Sequence, residues 1–261
     1  MAWNTNYPTG IAEYASWDDV IALSPSDGDE MVFMGMKWVY LGASSVWLPE
    51  EIYNGTPADL RVIEGTEAND AALIANGWSI TKNGAGNTSY DGTRVTISQE
   101  TLAGDNCTLF YTPVGTVNKF IYGRVRVTTA PTQATKPDLA LVLRDAARTY
   151  IFDLHAGSTG DFPVFISNTS GIHPNCSYDK NVTALNQERF YLYVLKGVTP
   201  QIPFPTLYVV CQGFGTSPIC TVSESASWPA SGGVLDTVVG AAAGVDRGVM
   251  QVRNVVAGTF S

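Results

Sequence analysis

The chain has 261 residues, 45% hydrophobic and only 15% charged, with 25 glycines, a balance that suits short strands joined by polar turns rather than long amphipathic helices. Its formal net charge of -9 argues against a nucleic-acid surface, because phosphate contacts need clustered Lys and Arg. The longest apolar run, Val238 to Val245, falls far short of the roughly eighteen residues of a membrane span, so no membrane insertion is expected.

The start, Met1-Ala2-Trp3-Asn4-Thr5-Asn6, has neither the basic nor the apolar segment of a secretory signal, and synthesis in a host cytoplasm is expected. Ser16 precedes Trp17-Asp18-Asp19-Val20-Ile21; a capping hydroxyl with an acid three residues on predicts one short helix that ends before Pro25. Met31 to Met34, Lys37 to Leu41 and Ser45 to Leu48 are β-prone and separated by Gly35 and Gly42, which predicts a tight meander. A module of residues 1–55 buries little alone and is expected to lean on another copy of itself or on a neighbouring protein.

Residues 56–76 lose strand character and are read as a linker, with a short helix near Asp70 to Ile74. From 77 to 261 strand signals recur with Gly, Asn, Asp and Pro between them. They fall at 78–81, 94–98, 108–111, 120–127, 139–144, 150–154, 164–167, 190–195, 206–210 and 249–256. Two packed antiparallel sheets follow. Arg124 and Arg126 alternate with Val125 and Val127, the pattern of a strand with one wet face. The fold class read from the chain is all-β: an antiparallel jelly-roll β-sandwich preceded by a small helix-plus-β-meander module.

Trp17 in the helix, Asp27-Gly28-Asp29, Trp38-Val39-Tyr40 and Trp47-Leu48-Pro49 together resemble a family of small cassettes in tailed-bacteriophage virion proteins, above all tail fibres and related appendages. The body, with Leu141-Val142-Leu143-Arg144-Asp145 followed by Tyr150-Ile151-Phe152, resembles the concanavalin-A-like or laminin-G-like jelly roll. The first resemblance implies a structural protein of the virion surface, a tail fibre or spike component, with a capsid decoration protein as the alternative. Its partners would be other virion proteins and copies of itself, as a homotrimer or other homo-oligomer. Trp17, Trp38, Tyr40 and Trp47 would then form an assembly surface.

Chemistry is sparse. No strand carries the two carboxylates on one face that a retaining glycosidase needs. Asp153 and His155 are two apart on one strand but have no recognisable nucleophile. Gly84-Ala85-Gly86-Asn87 lacks the Lys-Ser or Lys-Thr of a phosphate loop and reads as a hairpin turn. Asp138, Asp145 and Asp179 are conceivable rim ligands for calcium, yet no spaced acidic loop supports them. No catalytic residue, cofactor or metal is therefore expected. Tyr90-Asp91, Tyr178-Asp179 and Phe214 offer aromatic and polar groups on loops, the chemistry of glycan or receptor contact. A module that binds or cleaves host surface polysaccharide is accordingly the other reading of function. Of the 4 cysteines, Cys211 and Cys220 bracket a short loop that a disulfide could close, although free buried thiols are the default.

Overall fold

The computed structural model describes residues 9–98, 106–111, 118–129, 140–145, 149–154, 161–168, 171–172, 181–184, 186–196, 206–213, 220–223, 235–240 and 249–261. The N-terminal module is β1 (Glu13–Tyr14), α1 (Trp17–Ile21), β2 (Glu30–Phe33), β3 (Met36–Leu41), β4 (Val46–Pro49) and α2 (Glu50–Asn54). The chain continues through β5 (Ala58–Ile63), α3 (Asp70–Ala75), β6 (Ser79–Asn83), β7 (Asn87–Tyr90), β8 (Val95–Ser98), β9 (Asn106–Tyr111) and β10 (Asn118–Thr129). It then forms β11 (Ala140–Asp145), β12 (Thr149–Leu154), β13 (Asp161–Asn168), β14 (Gly171–Ile172) and β15 (Asn181–Ala184). The last strands are β16 (Glu188–Lys196), β17 (Thr206–Cys211), β18 (Cys220–Ser223), β19 (Leu235–Gly240) and β20 (Val249–Phe260).

In the module, Ser16 Oγ accepts the Asp19 N–H at 3.2 Å and donates to Asp19 Oδ2 at 2.7 Å, so the expected cap closes and α1 stops well before Pro25. Strands β1 to β4 form a four-stranded sheet in that order, β1 parallel to β2 and the meander antiparallel. The body is a sandwich of two eight-stranded sheets. One runs β18-β17-β16-β10-β20-β8-β7 and the other β14-β13-β12-β11-β19-β9-β6. The jelly-roll sandwich preceded by a helix and meander is thus the fold that forms.

Three expectations need correction. Residues 56–76 are no linker: β5 pairs with β20 over Ala58–Ile63, adding to the edge that β8 also uses, and the expected short helix exists as α3, capped by Asn69. Its backbone hydrogen bonds belong to the body. Nor does Gly84 to Asn87 close a hairpin, because β6 pairs with β9 in one sheet and β7 with β8 in the other. The segment crosses between sheets.

The third correction concerns what the module leans on. Strands β10 and β16 are buried on both faces: Ile121, Val125, Tyr191 and Tyr193 on one, Phe120, Tyr122, Phe190, Leu192 and Val194 on the other. The second face carries the module, whose Trp17, Phe33, Met36 and Trp38 share one apolar cluster with it. The module leans on its own chain. Two apolar surfaces joined by a short tether bury each other without the translational and rotational cost of recruiting a second molecule.

Candidate functional site

Where the module meets the sandwich, the seam is tight on one side and open on the other. On the tight side, the Trp17 ring centroid lies 4.5 Å from Phe190, 5.0 Å from Phe33, 5.2 Å from Trp38 and 5.7 Å from Tyr122. Trp38 donates its indole N–H to the Phe33 carbonyl at 3.0 Å, which fixes it inside the cluster. The open side is a cleft of about 310 Å³. Its walls are Trp17, Val20 and Ile21 from α1, Tyr40 from β3, Val46 and Trp47 from β4, Val62 from β5, Tyr122 from β10 and Val256 from β20. Ser45, Glu64, Thr66 and Asn254 supply its polar groups.

The aromatic walls are set by backbone bonds. Tyr122 donates its hydroxyl to the Trp47 carbonyl at 2.6 Å, and full burial pushes its phenol well above the ordinary range, so it stays a neutral donor. Tyr40 and Trp47 are cross-strand partners with ring centroids 5.3 Å apart. Trp47 is buried, Tyr40 half-buried and Ile21 exposed at the mouth. This graded exposure gives an apolar floor with a wet rim.

Asn254 is the feature that sequence reading missed. It has φ +50°, and the β10–β20 register shifts there: Tyr122 lies opposite Val256, yet Arg124 lies opposite Arg253. The bulge keeps the faces in phase, so that Val252 and Val255 remain buried on the inner side while Val256 joins the cleft. Asn254 donates its backbone N–H to the Glu64 carbonyl at 3.2 Å. Its side-chain Oδ1 is out of water and accepts no hydrogen bond from the described residues. A buried carbonyl oxygen left without a donor is costly, and here it belongs to a cleft-lining residue. A signal existed in Arg253-Asn254-Val255-Val256, where two polar residues and then two apolar ones break strict alternation.

A charged cluster bridges the module and the sheet. Glu188 meets Arg124 at 2.5 Å, Arg253 at 2.7 Å and Arg94 at 3.2 Å, and Asp18 of α1 meets Arg124 at 2.6 Å and Arg253 at 3.6 Å. Arg124 therefore does not line a wet face; it is covered by α1 and ion-paired. Hydrogen bonding to Arg124 holds Asp18 below the usual carboxylate value. Burial alone would raise Glu188, but the surrounding guanidiniums overcome it and lower its pKa. These cations are committed to carboxylates and do not line the cleft.

The residues singled out from the sequence fare unequally. Trp17, Trp38 and Trp47 are at most 7% exposed, so the chain's own sheet covers most of the expected assembly surface. Trp17, Tyr40 and Trp47 instead line the cleft, and Trp38 packs behind Trp17. Tyr90 donates its hydroxyl to Asp70 Oδ1 at 2.5 Å, within a group that also ties Thr88 and Lys82 to Asp70. Asp91 Oδ1 accepts the Thr93 hydroxyl at 2.7 Å and the Thr93 and Arg94 N–H groups at 2.8 and 2.7 Å, an Asx turn; the hydroxyl first and then the backbone donors lower its pKa. Both support local structure. Asp138, His155, Tyr178, Asp179 and Phe214 lie outside the described residues.

Cys211 is a free, buried thiol, so the bridge to Cys220 does not form. Cys220 lies opposite Val209, two positions away from Cys211, and such a diagonal spacing of about 7–8 Å exceeds disulfide reach. Burial pushes the Cys211 thiol up to about 12 and that of Cys107 to about 11.

No protein-family model and no curated protein sequence matches the chain. Solved structures do match in fold. The alginate lyase Aly36B superposes with a TM-score of 0.55 at 9% identity, covering 76% of this chain and 96% of its own. The carbohydrate recognition domain of Emp46p gives 0.51 at 8% identity, over 78% of this chain and 95% of that one. The marine PL-14 alginate lyase from Aplysia kurodai gives 0.51 at 9% identity, over 78% and 99%. At such identities the similarity establishes the jelly-roll-like sandwich and nothing finer.

Proposed function

We propose that this protein binds carbohydrate, holding a short glycan segment in the cleft between the N-terminal module and the sandwich. The observation that carries the reading is the cleft's make-up: a half-buried Tyr40 at the rim beside Trp17, Trp47 and Tyr122, with polar groups from Ser45, Glu64, Thr66 and Asn254. Sugar rings present both partners that such a site needs, C–H faces for aromatic rings and hydroxyls for the polar rim. The fold neighbours support the same direction, since their names are those of a carbohydrate recognition domain and of alginate lyases.

Binding is proposed rather than cleavage. Glu64 is the one carboxylate among the described cleft residues, and Tyr122 is engaged as a donor with its pKa raised, which leaves no acid and base pair around a scissile bond. Display on a tailed-phage particle, as a tail or capsid component assembled with other virion proteins and copies of itself, is a further part of the proposal. It rests on the cassette-like residues between Ser16 and Pro49, and host surface polysaccharide would be the natural target there.

The test is retention of the full chain on a polysaccharide panel by affinity electrophoresis, with tryptophan emission followed and reducing ends assayed in parallel. Retardation with an emission change, both weakened about tenfold in Tyr40→Ala, is expected. Unretarded migration with every polysaccharide would defeat the proposal, and release of reducing ends would replace binding with catalysis.

A further inference from the structure

The chemistry of the cleft goes further and selects among glycans. Resting on the glycan-binding reading above, we infer that the site takes uncharged sugars, hexose or N-acetylhexosamine units, and rejects uronates such as those of alginate. Glu64 is the charged residue of the described lining, and it is an acid. A carboxylate at the rim asks for a donor, a hydroxyl or an amide N–H. A uronate carboxylate accepts only, so beside Glu64 it would set acceptor against acceptor and charge against like charge.

Among the described residues, Arg124 and Arg253 are the cations nearest in sequence to the cleft residues Tyr122 and Asn254, and both are held by Glu188 and Asp18. Freeing either would take a partner from Glu188, whose side chain is 15% exposed. The chain's net charge of -9 also opposes approach of a polyanion. At about 310 Å³ the cleft is at the small end of ligand sites, which suits a chain end or a short segment.

The experiment is calorimetric titration of the full chain with neutral hexose and N-acetylhexosamine oligosaccharides on one side, and alginate and polygalacturonate oligosaccharides on the other. It is repeated on Tyr40→Ala and on Glu64→Lys at the exposed rim. Neutral sugars should bind and uronates should not. Tyr40→Ala should weaken the neutral ligand about tenfold, and Glu64→Lys should admit uronates. Uronates binding the unmodified chain as tightly as neutral sugars, and weakened by Tyr40→Ala, would overturn this inference while leaving the glycan-binding cleft standing. If no oligosaccharide binds, or if binding ignores Tyr40→Ala, the cleft is not a glycan site and both readings fall.

Discussion

Trp17 holds the seam together because one side chain touches both sides of it: Phe33 and Trp38 within the module, Tyr122 and Phe190 on the sheet. Trp17→Ala should therefore cost about 3–5 kcal/mol, the range for truncating a buried aromatic, and Trp17→Phe much less; urea midpoints of the two variants check this. A loss below about 1 kcal/mol would mean that the module is not docked. The residue's importance was legible in the sequence, but its role was not. A tryptophan read as part of an assembly surface and one read as core give the same letter, and burial against residues a hundred positions away decides between them. Cysteines make the same point. With Cys107 and Cys211 buried and their thiols pushed up to about 11 and 12, the thiolate that reacts is scarce. Alkylation of these two, mapped by peptide mass spectrometry, should be slow in the native protein and rapid in urea.

At the scale of elements, α1 and β16 show how local rules and long-range contacts divide the work. The Ser16 cap and the stop before Pro25 follow from neighbours in sequence, and so do the three meander strands, which is why their existence and order were readable. Strand β5 and the bulge at Asn254 depend on partners far along the chain, and alternation alone does not announce them. The run Phe190-Tyr191-Leu192-Tyr193-Val194 did carry a long-range message, since a strand apolar on both faces needs cover on both. The ion cluster that fastens α1 to β10, β16 and β20 adds pH sensitivity. Asp18 and Glu188 titrate below their ordinary values of 3.8 and 4.5. On acidification the unfolded chain binds these protons first, so the cluster's stabilisation is complete above about pH 5 and is lost as pH falls through the lowered folded values. Urea midpoints should decline more steeply between about pH 5 and 3 in the unmodified chain than in Glu188→Gln. That variant should be weaker by about 2 kcal/mol at pH 7, because its arginines lose a charged acceptor.

Across the whole molecule, the question is whether the module is an appendage or a part of the core. The seam argues for the latter. The sheet residues beneath it, Phe120, Tyr122, Phe190, Leu192 and Val194, are at most 1% exposed only because the module covers them. Around them Lys196 pairs with Glu51 and Gln212 donates to the Ala15 carbonyl at 3.2 Å. Ser261, just after β20, donates its N–H to the Gly55 carbonyl at 2.5 Å, which ties β20 to the C-terminal edge of the module. Removing residues 1–55 would uncover a contiguous aromatic and aliphatic patch of the kind that soluble monomers seldom expose. The truncated body should therefore aggregate or bind a hydrophobic dye strongly, whereas the full chain should unfold in a single transition seen equally by tryptophan emission and by far-UV circular dichroism. Two separate transitions in the full chain, with a soluble and equally stable truncated body, would restore the module to an independent unit. The cleft would then lose the wall that Trp17, Tyr40 and Trp47 provide, and the glycan site would have to be sought on the sandwich alone.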